Sequence, residues 1–121
     1  MNELDRAKEL QKRTQRFAVE IIRFTSQLPK TDAARVIGRQ FLRSGTSVAA
    51  NYRAACRARS RSEFIAKVGV VVEEADETSF WLDLLVESNL SPAKSVERIR
   101  NECSELLKIF SSSLTTAKRN R

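Results

Sequence analysis

Four stretches of the chain repeat apolar residues at helical spacing. From Asn2 to Leu28, Phe17, Ile21, Phe24 and Leu28 form an i, i+4, i+7, i+11 series on one helical face. Pro29 ends this segment, because the residue before a proline is pushed out of the α region. Thr31 or Asp32 caps a second helix predicted to reach Ala58. Its apolar positions, Ile37, Phe41, Val48, Tyr52, Ala55 and Cys56, fall within an arc of roughly 100°.

Ser60 and Glu63 have capping-box spacing and open a third helix, predicted to end near Asn89. Its core stripe reads Phe64, Val68, Val71, Val72, Ala75, Leu82 and Val86. Ser91 as cap and Pro92 at the first helical position start a fourth helix, with a face of Val96, Ile99, Cys103, Leu106, Phe110 and Leu114. Residues 116–121 read as a fraying basic tail. Short connections make neighbouring helices antiparallel. The expected fold is therefore all-α: a single-domain, antiparallel, up-down-up-down four-helix bundle spanning 1–121.

The third helix carries more apolar surface than such a bundle can cover. Phe80, Trp81, Leu84 and Leu85 lie off its stripe, so Phe80–Val86 is apolar nearly all round. That surplus predicts a subunit contact anchored by Trp81 and hence a homo-oligomer; the alternative places Trp81 over the bundle's own edge.

The composition is 41% hydrophobic and 31% charged, with three glycines and two prolines in 121 residues, which argues for helices over a turn-rich β fold. Net charge is +7, which favours acidic partners: RNA or DNA, an anionic surface, or an acidic protein. By segment the charge is +3 for residues 1–30, +6 for 31–61, −6 for 62–90 and +4 for 91–121. On the second helix Arg35, Arg39, Arg43, Arg53 and Arg57 share one arc of about 80°, a stripe that could track a phosphate backbone. The same stripe could instead be solvated, or pair with Glu73, Glu74, Asp76 and Glu77 of the third helix.

Candidate chemistry is sparse. The chain has no histidine, which removes the commonest general base and metal ligand. Cys56 and Cys103 lack metal-type spacing and sit on apolar faces, where reduced core thiols are expected. Gly38–Ser47 lacks the lysine and glycine spacing of a phosphate loop. A carboxylate di-metal site would want Glu-x-x-His pairs, so Glu73, Glu74 and Glu77 are poor candidates. No enzyme activity, metal or cofactor is expected. No apolar run approaches a membrane span and the N-terminus has no apolar signal region, so the expected location is cytoplasmic.

Gly45 within Arg43–Ser47 costs roughly 1 kcal/mol of helix propensity against alanine, so tight helix packing must offset it. Thr46 and Ser47 can bond back to the preceding turn. The segment Leu42–Arg53, then Phe64–Lys67, then Glu74–Leu82, resembles the bacterial four-helix-bundle family encoded in intervening sequences of large-subunit ribosomal RNA genes. The resemblance covers about residues 10–115. It implies an antiparallel bundle and assembly into pentameric rings. Distant relatives serve as accessory proteins of diversity-generating retroelements, where basic pentamers bind reverse transcriptase and nucleic acid. Ala49 stands where the family commonly has glycine. The signature positions Arg43, Asn51, Tyr52, Glu74, Glu77 and Trp81, with Gly45 and Thr46, read as structural: a polar network between the second and third helices beside a packing anchor. The expected function is non-enzymatic binding of RNA or DNA by an oligomer, or alternatively a protein scaffold touching no nucleic acid.

Overall fold

The computed structural model describes residues 1–121. Four helices make up the chain: α1 Glu3–Thr25, α2 Asp32–Ala55, α3 Arg61–Glu87 and α4 Ala93–Arg119. Each of the first three starts on a side-chain cap. The backbone N–H of Asp5 bonds Asn2 (2.9 Å), that of Ala34 bonds Thr31 (3.2 Å) and that of Glu63 bonds Ser60 (3.0 Å). α1, α2 and α3 end two or three residues earlier than the apolar pattern suggests.

The turn from α3 to α4 departs from expectation. Asn89 takes the left-handed conformation (φ 60°), its N–H bonds the Val86 carbonyl, and the N–H of Leu90 bonds the Leu85 carbonyl at 3.0 Å. This closure satisfies the last carbonyls of α3 from the backbone. The Ser91 N–H joins the same Leu85 carbonyl, and Ser91 is buried. Pro92, not Ser91, is therefore the cap residue of α4, and no side chain caps that helix. At the other end α4 runs through Lys118 and Arg119, so most of the anticipated basic tail is helix. Its cations sit where the helix dipole is negative.

Buried positions alternate in steps of three and four. In α2 they include Ala34, Gly38, Phe41, Gly45, Val48, Tyr52 and Ala55; in α3, Val68, Val71, Ala75, Thr78, Leu82 and Leu85; in α4, Val96, Ile99, Cys103, Leu106 and Phe110. This spacing suits shallow-angle packing of ridges into grooves. Cross-contacts rise along one helix as they fall along the next. Gly38 meets Leu28 while Gly45 meets Ile21. Ala75 meets Cys103 while Asp83 meets Arg100. The register is antiparallel for these pairs.

Gly45 is a point of close approach. A Cβ there would run into Ile21, whose Cδ1, Cγ1 and Cγ2 already fill the space. The neighbour is a buried side chain rather than a bare helix backbone. α1 packs on α2, α2 on α3 and α3 on α4, whereas α1 and α4 scarcely touch. An open groove of about 710 Å³ separates them, lined by Arg13, Arg16, Glu20, Arg98, Glu102 and Glu105 among others. Two ion pairs span it: Arg13 grips Glu102 through two 2.7 Å hydrogen bonds, and Arg98 meets Glu20 at 3.1 Å.

Candidate nucleic-acid interface

The arginine stripe of α2 divides once α3 is in place. Arg43 spends its whole guanidinium inside the chain. Its Nε donates to Gln40 at 3.1 Å, one terminal nitrogen meets Glu74 at 3.1 Å, and the other pairs with Glu77. Arg35 lies in the first turn, where it bonds Asp32 (3.0 Å) and the Lys30 carbonyl (3.2 Å). Arg39, Arg53 and Arg57 are exposed and make no ion pair.

Glu77 links this pairing to the aromatic cluster. The Trp81 indole N–H donates to a Glu77 carboxylate oxygen at 3.1 Å, and Phe80 packs edge-on against Trp81 with ring centroids 4.9 Å apart. Phe80 is 52% exposed, while Trp81 and Leu84 are half-buried. Leu85 does not belong with them. It is fully buried in the core, which removes it from any subunit contact. The heptad step from Thr78 to Leu85 puts both on the inner face, and Val86, expected there, is half-buried. Phe64 and Val72 are likewise half-buried, and Ile65 takes a core place instead.

The polar signature residues split in the same way. Arg43, Glu74, Glu77 and Trp81 form one connected network between α2 and α3. Asn51 stays within α2, donating from its amide to the carbonyl and hydroxyl of Ser47, both at 2.9 Å. Thr46 bonds back to the Leu42 carbonyl at 2.8 Å. Tyr52 is a core residue whose ring lies 4.9 Å from that of Phe110. Burial, helped by contact with Cys56, pushes its hydroxyl well above the usual tyrosine range.

Charge is polarised along the bundle axis, which a helix-by-helix count hides. A cut through the helix midpoints gives one half comprising residues 1–13, 44–73 and 107–121, which holds both termini and the α2–α3 turn. That half carries thirteen of the 22 basic residues and five of the 15 acidic ones, a net +8. The other half is −1. Arg59, Arg61, Lys118, Arg119 and Arg121 thus join Arg53 and Arg57 at one end, although the chain separates them. Their signal in the sequence was the +6 segment and the basic C-terminus.

No group of three or more Cys, Asp or Glu residues is placed to hold a metal ion. No helix is long and apolar enough to cross a membrane. The class of protein is thus an all-α four-helix bundle with a cationic end and an exposed Phe80 beside a half-buried Trp81. The chain belongs to the 23S rRNA-intervening sequence protein family, whose model it matches over residues 6–112. Among solved structures it is similar to a protein of unknown function from the S23 ribosomal protein family of Bacteroides thetaiotaomicron VPI-5482. The two share 34% identity with a TM-score of 0.84, covering 90% of this chain and 97% of the other. No curated protein matches the chain.

Proposed function

We propose that the protein is a non-catalytic, self-associating bundle that binds RNA or DNA through its cationic surface. The observation that carries this reading is the set of exposed arginines without acidic partners, Arg39, Arg53 and Arg57 among them, on a chain of net charge +7. Arginine forks hold phosphate oxygens in pairs, and released counterions supply the driving force. A non-catalytic role is supported by the lack of histidine and of any activated nucleophile–base pair.

Self-association is supported by the outer face of α3, where Phe80 and Val70 are exposed beside Trp81 and Leu84. Large aromatics in that setting anchor interfaces. The family resemblance supplies the subunit number, five, and a cytoplasmic location fits a family tied to ribosomal RNA genes. A second reading, a protein-interaction scaffold that touches no nucleic acid, is favoured by Arg43, whose charge is already spent on Glu74 and Glu77.

Light scattering of the purified protein, before and after nuclease and across salt, tests both parts. The expected result is an assembly of five chains that co-elutes with RNA at low salt and sheds it as salt rises. A monomer overturns the assembly, and a pentamer that never carries nucleic acid favours the scaffold.

A further inference from the structure

The two halves of the bundle differ in how their charges are used as well as in how many they hold. In the +8 half only Arg13 and Arg59 come within 4.0 Å of a carboxylate, and Arg59 only at that limit. In the other half four of nine basic residues are paired: Arg35, Arg43, Arg98 and Arg100. Unpaired like charges gathered at one end repel one another and weaken the compact state. Helix dipoles account for only some of them: Arg53, Lys118 and Arg119 lie in the last turns of α2 and α4, whereas Arg59, Arg61 and Arg121 do not.

We propose that this end, formed by the α2–α3 turn and the two chain termini, is the surface that grips the phosphate backbone of a nucleic acid. The proposal rests on the nucleic-acid reading above and relocates its site from the α2 stripe. Arg57, Arg59 and Arg61 stand exposed on the turn, and Lys118, Arg119 and Arg121 are exposed at the end of α4. With helices 8–10 Å apart, the end face is about 20 Å across. Duplex nucleic acid presents roughly twelve phosphate charges over that length. An anionic membrane fits less well. Of the large apolar side chains exposed in this half, Met1, Leu4 and Val70, none is aromatic, and Val70 lies nine residues into α3, away from the turn.

Anisotropy titrations of a labelled 20-nucleotide RNA and a 20-base-pair duplex, from about 50 to 300 mM salt, test this. Two variants of equal charge change are compared: Arg57→Glu with Arg61→Glu at the basic end, and Arg23→Glu with Lys94→Glu, both exposed, at the other. Circular dichroism and urea midpoints establish that both fold. The first pair should weaken binding at least tenfold and flatten the salt slope by about two, while the second changes affinity less than threefold. Arg57→Lys with Arg61→Lys should retain binding.

Equal losses in both pairs would mean that net charge alone is read, and would overturn the localised site. Unchanged binding in the first pair would do the same, leaving the nucleic-acid reading standing. A wild-type protein that binds neither probe at 50 mM salt sinks that reading itself. Binding to vesicles of phosphatidylserine and phosphatidylcholine without binding to either probe assigns the end to a membrane and also overturns the proposal.

Discussion

The hydroxyls of Thr78 on α3 and Ser44 on α2 lie 3.0 Å apart, both wholly buried. Thr78 donates to Ser44, Ser44 donates to the Phe41 carbonyl at 3.2 Å, and the Glu74 carbonyl stands 2.7 Å from the Thr78 hydroxyl as a second acceptor. A polar pair thus occupies two positions that the packing pattern gives to the core, at the middle of the best-packed helix pair. Removing one hydroxyl strips a partner from the other, whereas removing both leaves nothing unsatisfied. Thr78→Val and Ser44→Ala should each cost about 1 kcal/mol, and the double variant less than their sum. Urea unfolding of the four-member cycle measures this; strict additivity would show that the two hydroxyls do not act together.

Gly45 and Gly69 should answer alanine substitution with opposite signs. At Gly45 a methyl meets Ile21, which is fully buried and cannot swing aside, so overpacking of about 1–3 kcal/mol outweighs the helix-propensity gain. At Gly69 nothing lies within 4 Å, so Gly69→Ala should stabilise by about 0.5–1 kcal/mol. Ile21→Val removes the obstructing Cδ1 and should recover part of the loss at Gly45. Thermal midpoints of the three variants decide it, and a harmless Gly45→Ala would refute the close approach.

The Cys103 thiol donates to the Ala75 carbonyl at 3.3 Å and is almost fully buried. Burial, with Asp76 nearby, pushes it up to about 12. Its folded value lies above the ordinary one near 9, so the unfolded chain loses this proton first as pH rises. The contribution is therefore complete below about pH 9 and lost between there and pH 12. Tyr52 acts in the same direction. Urea midpoints should fall across this window, and Cys103→Val should shallow the fall. Thiol reagents at pH 8 should label the half-buried Cys56 slowly and leave Cys103 untouched until the protein unfolds.

The seam between α1 and α4 depends on charge more than on packing. Arg13 and Glu102 are about two-thirds buried, and their paired 2.7 Å bonds are of the stronger, bidentate kind. Arg13→Gln should cost up to about 1 kcal/mol overall. Hydrogen exchange should accelerate in α1 before any other helix, and added salt should produce a milder version of the same change. Uniform acceleration across all four helices would place the weak point elsewhere.

How far the sequence determined this protein can be traced residue by residue. Periodicity, the caps at Thr31 and Ser60, and Pro29 set the number of helices and most of their starts, because these signals act within a few residues of where they stand. The resemblance carried by Leu42–Arg53 and Glu74–Leu82 named the family to which the chain belongs. The core register of α3 was not legible, because threonine at position 78 breaks the apolar pattern, and its hydroxyl is paired across to Ser44, 34 residues away, as well as to the Glu74 carbonyl of its own helix. That is why Leu85 looked like interface and proved to be core.

Which arginines are free was also decided in three dimensions. Arg43 and Arg39 share one helical face, yet only Arg43 comes level with Glu74 and Glu77 when α3 folds back along α2. The gathering of the α2–α3 turn and both termini into one cationic end follows from antiparallel packing alone. Helix formation is a local property that the chain reads a few residues at a time. Charge pairing and charge polarity depend on distances between residues far apart in sequence, and only the packed bundle sets those distances.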